Sequence, residues 1–452
     1  MNKKLTKRVW FNIIMFGFVG QIAWNVENMY FNTFLYNSVY SGVSQTAIDG
    51  SMSVMTAISK MVSWSAITAV VTTFIMGNLS DNMHKRKVFI GVGYIFWGLV
   101  TGCFGLITRD NISLLFGLTD EIKILGATVM TVIIMDCVMT FMGSTANDSC
   151  FNAYVTEVAD TSNRATVESV LTILPIAATG VVLGLGALVD GIGYSNFFMI
   201  LGGTVIVCGI IGMFTLTETE HGEKESAKDY FKNLIYGFKP SVIKKNSTLY
   251  LYLLAIGIYS IAVQVFFPYI LIYLEHQLGF SFDLLANLKI WHFALAGVAV
   301  IGVVVGIIYL GKLIDKVGKK VISVISLLLF IVGLFILGKA NTLLTFLLAA
   351  LPMFAGYGLL GIVFNAGIRD NTPEDKVGLF QGVRMIFFVL IPMFVGPKIG
   401  DYAIRLSDST YLNEYGVLQT VPTASMFTAA GIVALFTIIP LAILISKKEN
   451  IK

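Results

Sequence analysis

Long uninterrupted apolar runs limit this chain more than any other feature. Stretches such as 88–107, 321–338 and 425–446 hold about twenty consecutive, mostly apolar residues, and ~20 residues of helix cross a ~30 Å hydrocarbon core. In lipid every backbone group must be satisfied internally, and runs of this length do so as helices. Composition agrees: 56% of residues are hydrophobic, 13% are charged and the mean hydropathy is +0.80. An ordinary soluble protein carries about 25% charged residues, so the excess apolar surface has to face lipid. The chain reads as an all-α polytopic membrane protein.

Twelve spans can be laid out, at 9–38, 51–77, 88–107, 124–154, 167–190, 194–216, 248–274, 286–310, 321–338, 343–367, 377–402 and 425–446. An even number puts both termini on one side. The N-terminus, the segments 77–87, 157–166, 217–247, 311–320 and 368–376, and the C-terminus together carry 23 of the 31 Lys and Arg residues. The opposite side holds six, and Lys60 and Arg384 fall inside spans. The positive-inside rule therefore predicts cytoplasmic termini in a multi-pass plasma-membrane protein. No small-residue cleavage site follows the first run, which reads as a retained helix and not a signal peptide.

Other classes are disfavoured. The net charge of +4 sits at membrane edges and implies no nucleic-acid partner. Cys103, Cys137, Cys150 and Cys208 lie in apolar runs as packing residues, and the four histidines have no ligand spacing. No metal site, cofactor or phosphate-binding loop is apparent, which argues against a nucleotide-driven pump or an enzyme.

The polar linker 217–247 separates an N-terminal half, 1–216, from a C-terminal half, 248–452. Tyr230, Phe231, Leu234, Ile235 and Phe238 share one helical face. They fit either a short interfacial amphipathic helix or a solvated linker with a helical turn.

The halves also repeat. G-N-L-S-D-N-M-H-K-R-K (Gly77 to Lys87) follows the second span, and G-K-L-I-D-K-V-G-K-K (Gly311 to Lys320) follows the eighth. Asn152-Ala153 with Glu157 leaves the fourth span, and Asn365-Ala366 with Asp370 leaves the tenth. Two signatures in the same order mark an internal duplication. Gly-x-x-x-Asp followed by basic residues resembles the cytoplasmic loop of the major facilitator superfamily. The copy with Gly311, Asp315, Lys316, Gly318 and Lys320 is nearly complete, and the copy with Gly77, Asp81, Arg86 and Lys87 diverges at Asn82 and His84. The resemblance implies twelve helices in two pseudo-symmetric halves, a substrate site between them, and a monomer. Gly77 and Gly311 are expected to let a helix end approach its neighbour, and Asp81 and Asp315 to cap a helix or pair with an arginine. Glu157, Arg164 and Asp370 complete the expected gating loops.

Charges inside the runs are the sharper signal. Each costs about 2.5–3.5 kcal/mol at a helix centre on insertion scales. Glu27, Lys60, Asp136, Asp148 and Arg384 must therefore pair, face the interior or reach water. Ser144, Asp148 and Asn152 recur every fourth residue as one polar stripe, and Gln21, Asn25, Asn28 and Asn32 form another. Glu27 lies on a different face from Asn25, which suits a separate pairing role. Gln264, Gln381 and Arg384 add polar groups from the second half, and Trp24, Tyr30, Tyr154, Trp291 and Tyr357 add rings. The predicted substrate-binding residues are Asp148, Asn152, Asn25, Asn28, Trp24, Gln264, Gln381 and Arg384. Amides, carboxylates and rings around a wet cavity suit a polyhydroxylated ligand.

D-S-C-F-N-A-Y-V-T-E-V, Asp148 to Val158, with Arg164 after it, resembles the fourth-span exit of the glycoside-pentoside-hexuronide cation symporters, to which the sucrose-type transporters are related. The resemblance implies that Asp148 contacts both the sugar and the coupling cation. That family's second-span aspartate pair aligns with Ala69 and Thr73, so sodium would be left with one carboxylate and too few hard ligands. Its eleventh-span lysine is unmatched, and Arg384 stands about a turn away. A proton on Asp148, Asp136 or Glu27 is the expected coupling ion. The expected function is proton-coupled symport of a sugar or glycoside by alternating access. The rivals are a proton-driven exporter of amphipathic compounds and a transporter-like receptor.

Overall fold

In the computed structural model, which describes residues 5–83, 85–159, 164–218, 236–280, 319–373, 377–413 and 415–447, the apolar runs are helices. They are α1 (Lys7–Val39), α2 (Val54–Met83), α3 (Arg86–Leu106), α4 (Glu121–Val158), α5 (Arg164–Gly184) and α6 (Gly186–Thr215). A second series follows as α7 (Ser247–Gln277), α8 (Lys319–Leu337) and α9 (Leu343–Asn371). It ends with α10, formed by Val377–Met385, Ile386–Leu390 and Ile391–Leu406 in succession, and α11 (Ser425–Ser446). Among the described residues ten helices are long and apolar enough to cross a membrane, all of these except α5. The span expected at 286–310 lies outside the described residues, as do Trp291, Gly311, Asp315, Lys316, Gly318 and the linker residues Tyr230 to Ile235. The side chains of Asp81, Arg164 and Gln381 lie outside them too.

Polar residues at the run ends start the helices. Thr6 accepts from Val9 N, Asp120 accepts from Lys123 N at 2.9 Å, and Thr342 forms a capping box with Thr345. Gly193 breaks the helical path between the expected 167–190 and 194–216 spans, with a φ of 76° that a side chain would resist.

The helices form two compact units, α1–α6 and α7–α11. In the first, α3 and α6 pack closely. A Cβ on Gly209 would lie 2.7 Å from the Gly91 carbonyl oxygen, and one on Gly202 would collide with the Gly98 carbonyl. Small residues let helices associate this closely in lipid. In the second unit, Gly333 and Gly356 do the same for α8 against α9, facing Met353 and Phe330. Outward faces carry exposed apolar side chains such as Ile134, Ile200 and Leu348, while Trp97, Tyr30 and Tyr94 are buried.

Two features depart from a plain helical reading. Several helices contain π-helical turns, at Glu27–Phe31 and Leu35–Val39 in α1, Ser144–Phe151 in α4, Tyr273–Gln277 in α7 and Ile386–Leu390 in α10. Such turns are rare and concentrate at functional sites. A small hairpin, β1 (Thr410–Leu412) with β2 (Leu418–Thr420), also joins α10 to α11 in a chain expected to be all helical. Asn413 Oδ1 accepts from Tyr415 N and Val417 N, and Gly416 takes positive φ, which closes its turn.

Candidate solute and coupling-ion sites

Glu27 begins the first π-turn of α1 and is buried among α2 and α4. Its Oε1 accepts from Ser65 Oγ at 2.7 Å and Thr140 Oγ1 at 3.1 Å, and the two hydroxyls are 2.8 Å apart. Asp136 stands on α4 one turn before Thr140, which places a second buried acid beside Glu27. Glu27 is 6% exposed and Asp136 is 1% exposed. Neither forms an ion pair with a lysine or arginine among the described residues. Glu27 faces α2 and α4 while the Asn25 side chain meets Thr179 of α5, and the partners of Glu27 are two hydroxyls with a second acid nearby. Lys60, the other charge in this region, is exposed on α2.

The second polar group follows the stripes on α1 and α4. Asp148 is half-buried inside the Ser144–Phe151 π-segment and accepts from Ser144 Oγ at 2.9 Å. Asn152, one turn on, is exposed and donates to the Asp148 carbonyl. On α1, Asn25 donates to Gln21 O and Asn28 to Trp24 O, so each amide presents its oxygen. Thr179 of α5 reaches Asn25 Oδ1 at 3.4 Å. Asn32 has been carried into the core by the π-turn and is 1% exposed, so the four-member stripe expected from helical spacing is shortened.

Trp24 packs on Trp97 of α3 with centroids 4.9 Å apart, and both rings rest against Gly143 of α4. Beneath them Asn147 donates to Tyr94 Oη at 2.6 Å, and Tyr94 donates to Phe16 O at 2.7 Å. This tie between α1, α3 and α4 was missed in the sequence, where Asn147 is one polar residue beside Asp148. Asp401 was also missed. It is buried in α10 and pairs with Arg405 one turn later at 3.1 Å.

The loop residues form their own contacts. Arg86 at the start of α3 pairs with Glu157 at the end of α4 and reaches Ser80 Oγ of α2. A Cβ on Gly77 would lie 3.1 Å from Ser149 Oγ, so α2 and α4 run close there. In the second unit Lys320 donates to the Lys447 carbonyl that closes α11, and Asp370 is exposed. Arg384 donates to Asn365 Oδ1 at 2.9 Å and lies over the Phe388 ring, while Gln264 is half-buried with its backbone against Gly396. Tyr357 stacks on Tyr259.

The family model described as the Major Facilitator Superfamily matches residues 9–397, and matches again over 291–451. The chain belongs to the major facilitator superfamily. It is a secondary transporter and not an enzyme. Its twelve-helix fold is shared by an inward-open xylose transporter, XylE of E. coli, with a TM-score of 0.66, 12% identity and 97% of each chain covered. The nucleoside transporter NupG superposes with a TM-score of 0.64 at 12% identity, over 97% of this chain and 99% of that one. In sequence the chain is 22% identical over 348 residues to Multidrug resistance protein 2 of Bacillus subtilis (strain 168), covering 76% of this chain and 78% of that protein.

Proposed function

We propose that this major facilitator protein is a proton-coupled symporter of a polyhydroxylated solute, a sugar or glycoside, with Asp148 meeting the solute. The acceptor-rich surface carries the reading. Asn25 and Asn28 each turn one amide N–H onto their own helix, and the Asp148 carboxylate takes one bond from Ser144. A ligand meets amide and carboxylate oxygens that grip hydroxyl donors, with one N–H left on each amide for a hydroxyl oxygen. Trp24 beside them supplies a ring for the apolar face of a sugar. Asn152 stands one turn further along α4 and contributes less. In this reading the basic loops lie on the cytoplasmic side and the Arg86–Glu157 pair is a latch of the transport cycle.

A second reading is export of amphipathic cations, favoured by the 22% identity over 348 residues to a protein named for multidrug resistance. The same oxygens accept from a protonated amine, and an indole ring attracts a cation. Growth on single sugars, compared with efflux of a cationic dye, in cells expressing the protein separates the two. Sugar-dependent growth without dye efflux supports symport, and dye efflux without a growth effect rejects it.

A further inference from the structure

We infer that the coupling proton is held by the Glu27–Asp136 carboxyl pair, gripped by Ser65 and Thr140, and not by Asp148. The inference rests on the reading of the protein as proton-coupled and names the site of that coupling.

Hydrogen counting gives the first argument. Asp136 stands one turn before Thr140, which donates to Glu27 Oε1, so a second buried acid lies beside Glu27, and an ionised carboxylate is an acceptor only. A hydrogen bond between two such groups requires a proton on one of them. Charge gives the second. Two buried carboxylates in contact cannot both ionise, because like charges at that range repel strongly. The other titratable groups near the pair are Asp148, which adds more negative charge, and the Cys137 thiol. No cation among the described residues offsets them.

The surroundings are built around Glu27. Ser65 of α2 and Thr140 of α4 both aim hydroxyls at Oε1, while Glu27 Oε2 and Asp136 Oδ1 take no hydrogen bond from any described donor. Position links the pair to the solute stripe. Glu27 sits between Trp24 and Asn28 where α1 turns π-helical, and Asp136 and Thr140 lie in α4 just ahead of the π-segment that carries Asp148. Loss of the proton to water leaves two carboxylates facing each other across α1 and α4. Their repulsion would move the helices that present Asn28 and Asp148.

The set of two carboxyls and two hydroxyls is also a hard-oxygen set, so sodium is the occupant to test against. Infrared spectroscopy of the purified protein in sodium-free buffer at neutral pH, with no solute added, reads the carbonyl stretch of a protonated carboxylic acid. The wild type should show this band. E27Q and D136N should each shift it, E27Q/D136N should abolish it, and D148N should retain it. Ser65→Ala, which keeps both acids, should shift the band without removing it and covers the case in which the double variant does not fold. Retention of the band in a folded double variant, its absence in D148N, no shift in Ser65→Ala, or its loss on adding sodium chloride would each overturn the assignment. Because no solute is present, a protein that carries dyes and not sugars would still show the band.

Discussion

Arg86 holds Glu157 through two guanidinium nitrogens, Nε at 3.0 Å and Nη2 at 2.7 Å, both on the same Oε1. The arginine side chain is 6% exposed and the glutamate 18%. Nη1 reaches Ser80 as well, so one side chain joins the ends of α2, α3 and α4.

Removing one partner of such a pair leaves the other charge stranded. Arg86→Ala should destabilise the protein by about 3 kcal/mol, because an uncompensated buried charge costs that order. Arg86→Lys should fall between, since an ammonium cannot reproduce the fork. Thermal unfolding in detergent reads both, and a Glu157→Gln double-mutant cycle should show strong coupling. Additive effects would mean the pair contributes little.

Gly143 leaves room for two indoles. A Cβ there would lie 2.8 Å from both the Trp24 and Trp97 rings. Gly143→Ala should cost ~1–3 kcal/mol through overpacking and displace Trp24. Solute counterflow by the variant should then need a higher concentration for half-saturation than the wild type. An unchanged half-saturation would remove Trp24 from the solute surface.

Arg384 is a half-buried cation of the second unit, tied to Asn365 and lying 5.1 Å from the Phe388 centroid. Arg384→Gln should weaken solute binding about tenfold or more, as a hydrogen bond to a charged group contributes ~1.5–3 kcal/mol. Asn365→Ala, which frees the guanidinium, should produce a smaller fall in the same counterflow assay. Equal binding in all three proteins would make the arginine structural.

Ser65 and Thr140 are the two donors on Glu27 Oε1. Ser65→Ala with Thr140→Val should destabilise by ~1–3 kcal/mol, the cost of leaving a buried acceptor unpaired. Thermal unfolding with each single variant as control checks this, and a double variant as stable as wild type would contradict the geometry.

The membrane spans were legible because hydrophobic length is read along the chain, and α2, α4 and α11 begin within three residues of their expected positions. Glu27 and Asp136 were legible as charges that needed partners. Their meeting was not, because it joins separate helices. Ser65 and Thr140 carried no warning either. Most hydroxyls in apolar helices bond back to a carbonyl four residues earlier, as Thr128 and Thr131 do in the same helix as Thr140. The π-turns were invisible for a related reason. A stripe drawn at ordinary helical spacing keeps Asn32 beside Asn28, whereas the wider turn at Glu27–Phe31 sends it into the core. The 410–420 hairpin had a local signal in Asn413 and Gly416, masked by its place in a loop between apolar runs.

The most direct test of the account is counterflow in proteoliposomes, with a panel of radiolabelled sugars and a cationic dye, for the wild type and Asp148→Asn. The account predicts exchange of at least one sugar by the wild type, none of the dye, and loss of that exchange in Asp148→Asn. Dye exchange without sugar exchange, or full sugar exchange by Asp148→Asn, would contradict it.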